Sequence, residues 1–81
     1  MKLHVLSELK ALVKAMNSGK EKEMFEVWFP MMYRDGEWSC EIVGDSVLDC
    51  YYANKIFRVL WDNQALYFIH EFKGCIAIHV Q

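Results

Sequence analysis

Three cysteines and three histidines are the first side chains of this chain to consider as nucleophiles, bases or metal ligands. Covalent catalysis needs a cysteine or serine beside a histidine that a third group orients. No cysteine lies in a recognisable nucleophile motif, and Cys40 and Cys50 fall on the predicted inner face of a sheet, where cysteine behaves as a small hydrophobic residue. The pattern favours structural cysteines, and we predict a protein that is not an enzyme.

A metal site would have to use His70, Cys75 and His79, which share one face of the last hairpin if its turn at Lys73-Gly74 has two residues. Zinc binds these ligand types. The two imidazoles would be diagonal rather than adjacent, and no second ligand pair has metal-site spacing. The four glycines lie at separate turns and form no phosphate-binding loop. We therefore predict neither metal nor cofactor, and a metal-binding or enzymatic domain around these three residues is the second alternative.

Paired carboxylates are the remaining candidates for chemistry. Glu37 and Glu41 are predicted to lie on the same face of one strand. General acid–base catalysis needs a cleft that shifts their pKa values, and a small sheet with one covering helix rarely forms one. The two glutamates are more typical of a solvated outer face.

Length and composition indicate one small folded domain, residues 1–81, with 54% hydrophobic residues. No apolar run is long enough to span a bilayer, and Lys10 and Lys14 interrupt what would be the apolar part of a signal peptide. Three cysteines without CxxC spacing indicate free thiols in a reducing compartment. These features predict a cytoplasmic protein without membrane contact.

Charge is unevenly placed along the chain, whose net charge is −2. Residues 1–22 hold five lysines and two glutamates, whereas residues 23–81 hold four basic and nine acidic residues. Nucleic-acid binders usually carry a basic stripe over the folded body. The acidic body argues against nucleic acid as the partner, although the N-terminal lysines keep it as an alternative.

The central feature of the pattern is a β-hairpin over residues 24–43. Asp35-Gly36 is typical of a two-residue type I′ turn, which would pair Arg34 with Glu37 and Tyr33 with Trp38. Alternation along both strands then predicts an apolar inner face of Phe25, Val27, Phe29, Met31, Tyr33, Trp38, Cys40 and Ile42. Pro30 has no N–H to donate, which favours an edge strand.

The flanking segments are a helix and a second hairpin. Val5, Leu6, Leu9, Leu12, Val13 and Met16 recur at helical spacing, which predicts an amphipathic helix over residues 3–17 that ends at Asn17-Ser18-Gly19. Residues 65–72 and 75–80 predict strands around Lys73-Gly74, with a turn of either two or three residues.

Residues 47–61 fit two periods. Strand-forming residue types favour two strands joined at Asn54-Lys55. A helix would instead have a capping box of Ser46 and Asp49 and a polar stripe of Tyr51, Asn54, Lys55, Arg58 and Asp62. The prediction is an α+β fold in which the N-terminal helix packs on an antiparallel β-sheet meander, and the alternative is the order αββαββ with residues 47–61 helical.

One helix covers only one face of such a sheet, so the other face should be exposed. The strand interpretation places on it Trp28, Pro30, Met32, Val43, Tyr51, Ile56, Leu60, Leu66 and Phe68, interleaved with Glu26, Glu37, Glu41, Asp49 and Arg58. Large exposed aromatic and methionine patches are typical of binding surfaces.

The hypothesis is a small non-enzymatic module that docks on a partner protein and modulates or inhibits it. Its expected contact residues are Trp28, Met32, Glu37, Glu41, Tyr51 and Arg58. The acidic rim would suit a partner with a basic surface, such as host nucleic-acid-handling machinery blocked by a phage or mobile-element accessory protein. A homodimer through this face is a second possible use of it. The alternative function is RNA or DNA binding by sheet aromatics and helix lysines.

Overall fold

The computed structural model describes residues 1–45 and 50–81, which form two helices and one four-stranded antiparallel sheet. The elements are α1 (Leu3–Asn17), β1 (Phe25–Met32), β2 (Trp38–Asp45), α2 (Cys50–Asp62), β3 (Tyr67–Phe72) and β4 (Cys75–Val80). The strand order is β1-β2-β4-β3, so two αββ units meet where β2 pairs with β4. The α+β prediction is confirmed, in its αββαββ form.

Helix α1 has the predicted bounds and the predicted buried stripe. Val5, Leu6, Leu9, Val13 and Met16 are buried, and Leu12 is half-buried. The helix ends where Ser18 N–H donates to the Ala15 carbonyl and Gly19 takes a left-handed φ of 76°. This residue type fits because glycine has no Cβ to clash in that conformation.

Helix α2 corrects the preference for strands over residues 47–61. Ile56 and Leu60 are fully buried, whereas the polar stripe predicted for a helix is exposed: Tyr51, Asn54, Lys55, Arg58 and Asp62. As strands, the same segment would have left Ile56 and Leu60 on the uncovered face, so burial of these two side chains overrides strand propensity. The capping box of Ser46 and Asp49 lies outside the described residues.

Both helices pack on the same face of the sheet. Ile56 and Leu60 join one core cluster with Leu9 of α1 and with Ile42 and Ile78 of the central strands. The face that carries Ile42 and Ile78 is called the covered face below. No helix or strand of residues 1–45 and 50–81 packs on the other face, which is called the open face.

The first hairpin has a different register from the predicted one. Gly36 N–H donates to the Tyr33 carbonyl and Tyr33 N–H donates to the Glu37 carbonyl, so the loop has three residues, with Gly36 at a φ of 81°. This is a turn followed by a left-handed glycine, the second common hairpin solution for such a loop. The predicted pairs of Arg34 with Glu37 and of Tyr33 with Trp38 are wrong, and Trp38 pairs with Met32.

A β-bulge at Phe29 and Pro30 shifts the register of β1 again. Before the bulge Trp28 pairs with Glu41, and after it Met31 pairs with Ser39. Phe29 has a φ of 48°. The bulge exchanges the faces of the residues after it, so Met31 lies on the open face with Ser39, and Met32 lies on the same side as Trp38. The predicted places of Phe29, Met31, Met32 and Tyr33 are therefore wrong.

The second hairpin has the two-residue turn. Phe72 pairs with Cys75, and Lys73 and Gly74 have φ values of 43° and 81°. Positive φ at both central residues is the type I′ geometry that strand twist favours. The register left open by the sequence is thus fixed, with Ile69 opposite Ile78 and Tyr67 opposite Val80.

Candidate partner-binding surface

The open face is built by alternation along four strands. Residues that pair across strands share a face, so the pairings assign the open face its side chains. Its members are Glu26, Trp28, Met31, Ser39, Glu41, Val43, Phe68, His70, Cys75, Ala77 and His79. The face mixes apolar, aromatic and charged groups, in contrast to the purely apolar core beneath the helices.

One transverse row of the open face contains a residue from each strand: Trp28, Glu41, His79 and Phe68. His79 Nε2 lies 3.2 Å from Glu41 Oε1. The Phe68 and His79 rings stack with centroids 4.7 Å apart and planes 9° apart. These contacts hold the side chains of neighbouring strands in fixed positions, which lowers the entropy that a partner would have to remove on binding.

Trp28 is the anchor at the β1 end of this row. Its indole N–H donates to Glu26 Oε2, and its ring meets the Phe29 ring edge-to-face at 5.9 Å. The side chain remains 42% exposed, and Phe68 at the other end of the row is 51% exposed. Exposed tryptophan held by a polar contact is the residue type that most often dominates binding energy at protein interfaces.

The end of the first hairpin extends this apolar surface. Phe29, Met31, Met32 and Tyr33 are all exposed, and Phe29 reaches 75% because the bulge turns it away from the core. Ser39 Oγ donates to Tyr33 Oη at 3.4 Å. Phe29 contacts Trp28, and Met31 and Tyr33 lie beside Ser39 of the open face, whereas Met32 lies on the other side of the sheet with Trp38.

A shallow depression of about 660 Å³ lies beside Trp28 on the same face. Val43 and the half-buried Cys75 line it, together with the charged residues Lys22, Glu26 and Lys73. The depression gives the open face a concave part next to its exposed tryptophan. An apolar side chain of a partner would fit such a hollow.

The predicted contact residues do not all lie together. Trp28 and Glu41 are paired on the open face. Tyr51 and Arg58 are exposed on α2, which packs on the covered face, so their predicted place beside Trp28 is wrong. Ile56 and Leu60 are in the core for the same reason, and Asp49 lies outside the described residues.

Glu37 and Met32 lie at the hairpin end. Glu37 Oε1 is 2.6 Å from Lys2 Nζ, and Glu37 Oε2 is 3.0 Å from the Met1 amine. The hydrogen bond from Lys2 lowers the pKa of Glu37 and raises the pKa of Lys2 in turn. Glu37 is thus engaged within the chain, whereas Met32 is free of polar contacts and exposed.

The residues considered for catalysis are separated by the fold. Cys40 is buried on the covered face, and burial raises the pKa of its thiol to about 11. A thiol with such a pKa is not a nucleophile at neutral pH. His70, Cys75 and His79 do share the open face, but in residues 1–45 and 50–81 no three His, Cys, Asp or Glu side chains are arranged to hold a metal ion.

The helix lysines and the sheet aromatics lie mostly apart. Lys10, Lys14 and Lys20 line a groove of about 880 Å³ between α1 and β1, and Trp28 also lines it. Phe68 and His79 are on the open face, away from these lysines. The helix lysines therefore share a groove with one sheet aromatic, Trp28, and Phe68 is not among the residues that line it.

The sequence places Phe68 on the outer face but does not predict Phe68 or His79 as a contact residue, because their pairing depends on the register of the last hairpin. The signal that could have fixed it is Lys73-Gly74, if lysine is accepted at a positive φ. This chain matches no known family model, no curated protein and no solved structure. Neither described helix has the length and apolar character that crossing a membrane requires.

Proposed function

We propose that this protein is a non-enzymatic binding module that docks on another protein through its open face. The observation that carries the proposal is the row of Trp28, Glu41, His79 and Phe68, which crosses all four strands on a face that no described element covers. The two ends of the row are large exposed aromatic side chains, and its middle is a polar pair. An apolar anchor with polar groups around it is the usual composition of a binding surface.

Charge favours a partner with a basic surface. Glu26 and Glu41 stand beside Trp28, and residues 23–81 carry nine acidic and four basic residues. Complementary charge speeds association and selects among partners more than it adds affinity. A small cytoplasmic module that occludes a basic surface would inhibit host nucleic-acid-handling machinery, the role of a phage or mobile-element accessory protein.

The test is capture of a partner from native lysate treated with nuclease, followed by titration of the purified partner. We expect Trp28→Ala to raise the dissociation constant by at least about thirtyfold, since hot-spot truncations cost about 2 kcal/mol or more. Glu41→Gln should slow association and reduce its dependence on salt.

Tyr51→Ala is the matched control, because Tyr51 is an aromatic residue on α2 that is 59% exposed, more than Trp28 at 42%. It should bind the partner as the unmodified chain does. Equal affinity of the Trp28→Ala variant, in a folded protein, would contradict the proposal. Capture that disappears with nuclease would move the function to nucleic acid.

A further inference from the structure

The two edges of the sheet are not equally protected against pairing with another strand. At β1, the Asn17 side chain satisfies both backbone hydrogen-bonding groups of Phe25. Its Oδ1 accepts from Phe25 N–H at 3.3 Å, and its Nδ2 donates to the Phe25 carbonyl at 2.8 Å. The bulge at Phe29 and the missing N–H of Pro30 interrupt the same edge farther along. Natural sheets use such devices to block edge-to-edge pairing.

In residues 1–45 and 50–81, none of these devices lies at the β3 edge. In a two-residue turn the residues next to the loop form a hydrogen-bonded pair, and Gln81 N–H also donates to the Leu66 carbonyl at 2.9 Å. Hydrogen-bonded pairs alternate along an antiparallel ladder. The backbone N–H and C=O groups of Tyr67, Ile69 and Glu71 therefore point away from β4, along a strand without proline or bulge.

Apolar side chains line this edge on both faces. Phe68 is exposed on the open face and Leu66 is exposed beside it, and Ile69 is 46% exposed on the covered face. On the covered side Trp61 is 63% exposed, although its ring belongs to a stack with Phe57 and its Nε1–H donates to Tyr67 Oη at 2.6 Å. A regular, apolar, unpaired edge strand is a template for another strand.

We propose that the β3 edge pairs with the β3 edge of a second copy of this chain, which joins two sheets into one of eight strands. An antiparallel pair about a two-fold axis uses all three outward-facing residues when Ile69 stands opposite Ile69 of the second copy. Tyr67 then stands opposite Glu71, and Phe68 opposite His70. No like charges face each other, so the edge is complementary to itself.

Because the β3 edge is complementary to itself, it favours a second copy of this chain over an unrelated strand. A two-fold pairing places Glu71, the acidic side chain of β3, opposite Tyr67 of the second copy and not opposite the second Glu71. It also places the apolar Ile69 opposite Ile69 of the second copy. Trp61, whose indole N–H donates to Tyr67 of β3, is exposed beside the same edge. The open face is not consumed, because the two copies meet at strand edges and their open faces become continuous.

The experiment measures mass in solution by sedimentation over a concentration series. The unmodified chain should approach twice its monomer mass as concentration rises. Ile69→Lys should weaken the dimer by roughly a hundredfold, because two like charges would then stand directly opposite each other. Ile69→Glu should do the same, and an equimolar mixture of the Ile69→Lys and Ile69→Glu chains should recover the dimer.

Recovery in the mixture is a readout that a general loss of folding would not give. Trp28→Ala, on the other edge of the sheet, should leave the dimer mass unchanged. A monomer at every concentration, a dimer that survives Ile69→Lys, or a mixture that stays monomeric would each overturn the proposal. If either Ile69 variant fails to fold by circular dichroism, amide exchange of Tyr67, Ile69 and Glu71 in the unmodified chain decides: protection must rise with concentration, and unchanged exchange overturns the proposal.

Discussion

The two faces of the sheet carry opposite kinds of residue on the same strands. Along β2, Cys40 and Ile42 are buried beneath the helices, whereas Ser39, Glu41 and Val43 alternate with them on the open face. The covered face holds the fold together by apolar burial, and the open face adds little to it. Side chains of the open face can therefore be exchanged at a lower cost in stability than those of the covered face.

The largest expected effect comes from the centre of the covered face. Ile42→Ala should lower the free energy of unfolding by about 4 kcal/mol, because the fully buried side chain leaves a cavity between the helices and the sheet. Its neighbour Val43 points to the open face, and Val43→Ala should cost about 1 kcal/mol. Urea denaturation measures both, and equal losses would remove the distinction between the faces.

Gly44 tests how closely β1 is fitted to the covered face. A Cβ at Gly44 would overlap the ring of Phe25, its partner across the strands. Gly44→Ala should therefore destabilise the protein by about 3 kcal/mol, the cost of overpacking a filled site. Adding Phe25→Leu to this variant should recover part of the loss. Thermal denaturation that shows no change in Gly44→Ala would mean that the ring does not lie over Gly44.

The buried thiol predicts a pH dependence specific to the covered face. The pKa of Cys40 is raised by burial from 9.0 to about 11, so the unfolded chain loses this proton at a lower pH than the folded chain. The contribution of the protonated Cys40 thiol to the free energy of unfolding is intact below pH 9. It is lost between about pH 9 and 11, by at most about 3 kcal/mol. In Cys40→Ala this part of the alkaline loss should be absent, whereas Cys75→Ala should retain it. Identical alkaline profiles for all three chains would contradict the assignment.

The smallest effect concerns the bulge that moves Met31 onto the open face. Phe29 has a left-handed φ, which is strained for any residue with a Cβ, and its side chain buries little. Phe29→Gly should raise the free energy of unfolding by about 1 kcal/mol. Phe29→Ala keeps the strain and serves as the control. A loss of stability in the glycine variant alone would show that the bulge is not strained.

The sequence was sufficient for features that depend on local chemistry. Helix α1 follows from its apolar spacing and Gly19, and the inner positions Phe25, Cys40 and Ile42 follow from alternation. The α2 segment was misjudged because aromatic and β-branched residues suit both a strand and a helix. The helix is selected because it buries Ile56 and Leu60 against the sheet. That contact involves residues distant in the sequence, so the segment itself does not reveal it.

The candidate surface was only partly predictable for a related reason. Trp28 and Glu41 lie on the predicted outer face of the first hairpin, although the predicted register did not pair them with each other. Met31 and Met32 exchange faces because one left-handed residue shifts the register, which no periodicity reveals. His79 and Phe68 join the row through the pairing of β4 with β2 and β3, a contact between distant parts of the chain.

Hydroxyl-radical footprinting of the complex tests the central claim, that the open face is the contact surface, most directly. It reads the solvent exposure of individual tryptophan, methionine and aromatic side chains by mass spectrometry. On addition of the captured partner, Trp28, Met31 and Phe68 should become protected, and Tyr51 on α2 should react as before. Protection of Tyr51 with unchanged reactivity at Trp28 and Phe68 would place the partner on the helical side and contradict the account.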